Sequence, residues 1–292
     1  MGNKALILIK DIADLSKFKI TLAVTVTTAL GYLLAIKEFT YNIFPPVIGL
    51  FLIACSSAVL NHYQEYNIDK KMIRTRNRPI PSGRIKPLVA IVISVVYIVL
   101  GSLLLYRYGG LLPLQLGLLA LIWYNGIYTP LKRKTPFAVI PGSVIGAIPP
   151  VVGWVSGGGE LFDREILIIA FFIFMWQIPH FWILLLKHGK DYNKAGLPTI
   201  TELYTETQVK IITFIWTFAT AISGLLIPLY GKITALLPLS ILIVSSILLI
   251  IFFSKLLLPK RNNSINIIKY FGFINAYLLV VLVAVAIDSL MN

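Results

Sequence analysis

Pro87-Leu-Val-Ala-Ile-Val-Ile-Ser-Val-Val-Tyr-Ile-Val-Leu-Gly-Ser-Leu-Leu-Leu-Tyr106 is a run of twenty residues without one charged side chain. Coiled as a helix rising about 1.5 Å per residue, it reaches across the roughly 30 Å hydrocarbon layer of a bilayer. Comparable runs lie on either side, at 18–36, 42–60, 110–127, 137–155, 165–186, 211–230, 233–254 and 266–287. With 87–106 they predict an all-α membrane protein with nine transmembrane helices in a single bundle. Composition agrees: the 292 residues are 58% hydrophobic and 13% charged, with mean hydropathy +0.85. A soluble domain could not cover so apolar a chain with polar surface.

The net charge of +14 would suit a nucleic-acid partner, but its distribution points elsewhere. If the N-terminus is cytoplasmic, alternate loops collect nearly all of the 26 basic residues, including Lys4, Lys10, Lys17 and Lys19, the cluster Lys70 to Lys86, Lys132 to Lys134, Lys187 to Lys210, and Lys255 to Lys269. Only Lys37, Arg107, Arg164 and Lys232 are left for the opposite side. That is the positive-inside pattern of a multi-pass protein with its N-terminus in the cytoplasm, and no nucleic-acid partner is expected. A lone cysteine, Cys55, excludes a disulfide framework and a CxxC metal site. Residues 1–19 lack the uninterrupted apolar core of a secretory leader. We read one membrane domain over residues 1–292, with a cytoplasmic segment of about residues 1–17. The two richest polar segments follow the second and sixth spans, a spacing that hints at a four-helix repeat.

The first of these segments runs Asn61-His-Tyr-Gln-Glu65-Tyr-Asn-Ile-Asp69-Lys-Lys-Met-Ile-Arg74-Thr-Arg-Asn-Arg78-Pro-Ile-Pro-Ser-Gly83. If the second span continues as a helix, Asn61, Glu65 and Asp69 fall at i, i+4 and i+8 on one face. Three oxygen-bearing side chains suit Mg²⁺, which is usually completed by substrate phosphates. The arginines that follow can grip phosphate bidentately. The bland alternative pairs these carboxylates with Lys70 and Arg74 on a solvated helix end. His62 reads as a headgroup-level residue and is not counted as a ligand.

Two further clusters stand out. Tyr128 and Lys132 lie four apart after the fourth span; an aromatic face there can shield a carbocation or simply belong to an interfacial belt. Within the sixth span stands Trp176-Gln177-Ile-Pro-His180. Polar side chains inside a span usually face a cavity, and His180 can ligate haem iron, move protons or bond to a neighbouring helix. Asp191, beyond that span, is either a further metal ligand or a partner of Lys187 or Lys190.

Taken in order, these strings resemble the UbiA-type intramembrane prenyltransferases. They are Asn61, Glu65 and Asp69 with Met72, Arg74-Thr75 and Arg78-Pro79; Tyr128-Thr129 with Leu131-Lys132-Arg133 and Thr135; Gly146-Ala147, Pro149-Pro150 and Gly153-Trp154; and Trp176-Gln177, Pro179-His180-Phe181 with Asp191-Tyr192, Ala195-Gly196 and Pro198. The last two strings resemble the branch that works on haem. The resemblance spans about Asn61 to Pro198.

It implies farnesyl transfer from farnesyl diphosphate, or a longer prenyl diphosphate, to a vinyl group of haem B, with addition of water, in a cell-membrane protein whose central cavity opens to the cytoplasm. Haem B is then substrate rather than cofactor, and a downstream haem-modifying enzyme is the partner its product implies. By the same resemblance Asn61, Glu65, Asp69 and Asp191 hold Mg²⁺; Arg74, Arg78, Lys132, Arg133 and Lys187 grip the diphosphate; Tyr128 and Lys132 count with the metal ligands as catalytic, Tyr128 as a shield for the allylic cation; and Trp176, Gln177 and His180 lie near the porphyrin. One departure stands out: Lys187 fills the first position of the family's second acidic motif, which leaves open whether one or two Mg²⁺ bind. The rival readings are prenylation of an aromatic quinone precursor or lipid headgroup and, in another class, a transporter.

Overall fold

Each apolar run becomes a helix because a backbone in hydrocarbon has to satisfy its own N–H and C=O groups. The structure is a computed structural model describing residues 2–230, 233–258 and 266–291, with side chains described throughout except at 2–5, 188 and 190. Lys232, Lys260 and Arg261 therefore lie outside the described residues, as do the side chains of Lys4 and Lys190.

In chain order the helices are α1 (Gly2–Leu15), α2 (Phe18–Ile36), α3 (Phe44–Asp69), α4 (Pro87–Gly109) and α5 (Leu111–Ile122). α5 continues through a π-helical stretch, Trp123–Tyr128, into the short α6 (Thr129–Leu131). Then come α7 (Val139–Ser156), α8 (Arg164–Lys194), the short α9 (Ile200–Leu203), α10 (Glu206–Tyr230), α11 (Leu236–Ser254) and α12 (Ile267–Met291). Among the described residues nine helical stretches are long and apolar enough to cross a membrane, and there is no strand. α3 and α8 run past the apolar stretches that predict them, to Asp69 and Lys194. α1 is a surface helix that the mixed composition of the first residues did not announce.

α2, α3, α4 and α5 pack in sequence; α7 lies against α2 and α5 and also against α8; α10, α11 and α12 complete the other half, with α12 touching both α8 and α2. Lipid offers leucine no reason to leave it, so such helices associate through close backbone approach and internal hydrogen bonds. The glycines of α7 and α2 show the first device: a Cβ on Gly153 would run into the Thr28 carbonyl, and one on Gly31 into that of Pro150. Thr220 of α10 and Ser56 of α3 show the second, donating to the Met175 carbonyl of α8 at 3.0 Å and the Ser94 carbonyl of α4 at 2.9 Å. Large side chains are left for the lipid, with Leu88 71% and Leu236 78% exposed.

Candidate functional site

α3 carries the site because its helix does not stop at the end of its apolar run. Asn61, Glu65 and Asp69 line one face and are 1%, 6% and 1% exposed. Buried carboxylates need partners, and the fold brings them from distant segments. Lys132 Nζ lies 2.7 Å from Glu65 Oε2, and Arg78 Nη1 lies 2.8 Å from Asp69 Oδ2. The bland pairing with Lys70 and Arg74 is not what forms. Asn61 Nδ2 donates to Glu65 Oε2 and Thr129 Oγ1, both at 3.1 Å, and Asn61 Oδ1 accepts from Lys17 Nζ at 2.6 Å.

The π-helical stretch shifts the register of the fourth span where it meets α3, a distortion common at functional sites. It places Tyr124 and Tyr128 in a stack with ring centres 5.6 Å apart. Lys132 Nζ sits 5.4 Å from the Tyr128 ring centre, and Lys17 donates to the Tyr124 hydroxyl at 3.1 Å. Tyr128 lies so close to α7 that a Cβ on Gly142 would meet its ring at 2.7 Å. Below this, Asn125 exchanges hydrogen bonds with Ser57 and Gln64 and locks the fourth span to α3.

Lys17 is the residue that the sequence motifs missed. It stands at the break between α1 and α2 with φ 48 and ψ 45. Burial, followed by the charge of Arg78, pushes its ammonium down to about 8, although Glu65 and Asp69 pull the other way. His62, set aside above as a headgroup-level residue, is corrected: it is 2% exposed, and neither ring nitrogen has a hydrogen-bond partner.

The predicted diphosphate residues separate. Arg78 and Lys132 face the acids directly. Arg74 Nη2 donates to the Tyr192 hydroxyl at 3.3 Å, and Arg133 Nη2 to the Gln64 carbonyl at 2.6 Å. Lys187 is exposed on α8. Asp191 pairs with neither Lys187 nor the acids of α3: its carboxylate accepts the backbone N–H groups of Ile73 and Arg74, at 3.2 and 3.5 Å. It thereby ties α8 to the loop that carries the arginines.

The donor set fits Mg²⁺. Its atoms are hard oxygens, and Glu65 Oε1 is buried without a hydrogen-bond partner. Among the described residues no three His, Cys, Asp or Glu side chains gather closely enough to hold a metal by themselves, so Asn61 and a ligand's own oxygens would have to complete the shell.

The second polar centre lies within α8. His180 is enclosed by Trp176 and Phe271, with ring centres at 4.6 and 4.8 Å, and Asn275 of α12 donates to the Phe271 carbonyl. Trp176 Nε1 donates to the Ile274 carbonyl at 2.8 Å. His180 Nδ1 and Gln177 Oε1 are buried and unpartnered. Gly146 of α7 makes room for Gln177, whose Oε1 a Cβ there would strike.

Comparison with known proteins adds a consistent result. A model of the UbiA prenyltransferase family matches residues 24–286. The protoheme IX farnesyltransferase of Geobacter sulfurreducens is 40% identical over 63% of this chain and 67% of its own. Those of Nitratidesulfovibrio vulgaris and Aquifex aeolicus are 31% and 33% identical over 97% and 96% of this chain and 96% and 95% of theirs. Among solved structures, digeranylgeranylglyceryl phosphate synthase aligns with TM-score 0.79 at 18% identity, covering 97% of this chain and 99% of that one. A UbiA homologue from Archaeoglobus fulgidus bound to GPP and Mg²⁺ aligns with TM-score 0.64 at 16% identity, covering 97% of this chain and all of that one. At such identities the structures speak for the fold alone.

Proposed function

From the premise that the chain belongs to the UbiA prenyltransferase family and is a multi-pass membrane prenyltransferase, we propose that it transfers a farnesyl group from farnesyl diphosphate to a vinyl group of haem B, with addition of water, giving haem O and diphosphate. The observation that carries this reading is the buried face of Asn61, Glu65 and Asp69, ringed by Lys17, Lys132 and Arg78. Full-length relatives named protoheme IX farnesyltransferase and the unpartnered atoms of Gln177 and His180 support haem as the acceptor.

In this reading Asn61, Glu65 and Asp69 hold Mg²⁺, and Asp191 keeps the arginine loop closed over the site. The bound Mg²⁺ supplies neutralisation of the charge that develops on the leaving diphosphate. Arg78 and Lys132 donate to the same oxygens, with Arg74 and Arg133 nearby on the rim, and this preorganised field lowers the barrier to breaking the allylic C–O bond. The faces of Tyr128 and Tyr124 shield the allylic cation from water. The haem vinyl attacks C1 of the prenyl group, and water adds to the resulting benzylic-type cation. Trp176, Gln177 and His180 position the porphyrin.

The basic loops and the site groups share one end of the bundle. The positive-inside rule then supports a cytoplasmic N-terminus and a site opening to the cytoplasmic face of the cell membrane, and we read residues 1–292 as one membrane domain.

The test is purified protein with haem B, farnesyl diphosphate and Mg²⁺, followed by mass analysis of the extracted haem. A gain of farnesyl plus water, lost with EDTA and in Asp69→Asn, is the expected outcome. Unchanged haem with prenylation of an aromatic acid or a lipid headgroup would move the acceptor and keep the diphosphate site.

A further inference from the structure

Lys17 belongs to none of the patterns that mark the site, and its placement is costly. A left-handed backbone is unfavourable for a residue with a Cβ, yet this turn brings the side chain from the α1–α2 break onto α3. Among the described residues its ammonium is hydrogen-bonded to neutral oxygens, Asn61 Oδ1 and the Tyr124 hydroxyl. The two carboxylates of that face are already taken, Glu65 by Lys132 and Asp69 by Arg78. Three cations thus surround two anions, and the cluster carries one surplus positive charge.

We propose that Lys17 is a diphosphate-binding residue that stands in for a second metal ion, so that the site works with one Mg²⁺ per prenyl diphosphate. The inference rests on the metal-diphosphate reading above and goes beyond it. A fully ionised diphosphate ester carries about three negative charges, and one Mg²⁺ leaves it with a single net negative charge that cancels the surplus. A second divalent ion would instead crowd uncompensated positive charge into a partly dry enclosure, where like charges repel strongly. It would also lack ligands. Asp191 is engaged by the backbone of Ile73 and Arg74, and the residue one turn before it on α8, Lys187, is an exposed cation rather than an acid.

The geometry also prescribes how the ligands enter. Each of the three side chains on that face already has a resident cation: Lys17 on Asn61, Lys132 on Glu65 Oε2 and Arg78 on Asp69. A metal ion reaching those oxygens repels all three cations, and the diphosphate is the anion that receives them. Metal alone would strand three cations; diphosphate alone would leave the carboxylates facing it. The two therefore bind as a unit.

The experiment titrates full-length protein in nanodiscs with Mn²⁺, reading free Mn²⁺ by its EPR signal, with and without unreactive farnesyl S-thiolodiphosphate. One Mn²⁺ per bound analogue is expected, with Mn²⁺ binding about tenfold weaker when the analogue is absent. Lys17→Met is expected to weaken analogue binding about 10- to 100-fold, the worth of a charged hydrogen bond. Lys17→Arg should recover most of that loss, and the exposed-site control Lys19→Met should change nothing. Two Mn²⁺ per analogue in the unaltered protein would overturn the proposal while leaving the metal-diphosphate reading in place, and so would full analogue affinity in Lys17→Met. If the unaltered protein binds no analogue at all, the proposal and the reading beneath it both fall.

Discussion

α3 and α8 are built alike. Both are long helices, of 26 and 31 residues, that carry an apolar run across the membrane and then continue into a polar end. At the end of α3, Asn61, Glu65 and Asp69 turn inward and are paired with cations from three other segments. At the end of α8, Lys187 faces outward, and Asp191 caps backbone N–H groups of the neighbouring loop. The first half therefore gathers the oxygen-bearing side chains, and the second half ties down the neighbouring loop and encloses His180 between aromatic rings. Acids at similar places on similar helices do different work because their nearest positive groups differ, two side-chain cations in one case and two amide N–H groups in the other.

That contrast breaks or sharpens under substitution. The largest expected effect is at α3, where Asp69→Asn or Glu65→Gln should lower kcat by about 10²–10³-fold in protein that remains folded, as losing one preorganised electrostatic contact to a developing charge does. Asp191→Asn should cost about tenfold, because the amide keeps an acceptor oxygen and loses only the charge assistance of the N–H contacts. Limited proteolysis near Arg74 should rise with it. A loss as deep as that of Asp69→Asn would instead make Asp191 a metal ligand and erase the difference between the halves.

Gly146→Ala should raise KM for haem B severalfold, to about tenfold, since the added methyl has to displace Gln177. Binding of a farnesyl diphosphate analogue, measured by calorimetry, should be unchanged by it. Lys187→Met should alter kcat/KM by no more than about twofold, in line with an exposed charge away from the acids. A large loss there would return Lys187 to the diphosphate.

Much of the site was legible because helical spacing is local. Asn61, Glu65 and Asp69 share a face as soon as α3 continues past Leu60, and a sequence with i, i+4, i+8 oxygens announces that face. Arg78 follows within nine residues of Asp69, close enough for the loop after α3 to return it to that carboxylate. Lys17 was not legible, because it reaches Asn61 across 44 positions through a backbone turn that no motif marks. Its only signal was a cationic residue at the mouth of the first span, which the positive-inside rule already explained. His62 was misread for a similar reason: a helix end looks exposed in sequence, whereas in the fold this side chain is 2% exposed.

By itself the sequence determined the solvent, the number of spans and the face on which the oxygen donors fall, since each follows from hydrophobic length and from a period of 3.6 residues. Only the tertiary structure decided which cation meets which acid, that Asp191 reaches the backbone of the loop after α3, and that Lys17 meets Asn61 and Tyr124. Those outcomes depend on close approach between segments far apart in the chain, and charge pairing at 3 Å is settled by packing rather than by spacing along a helix.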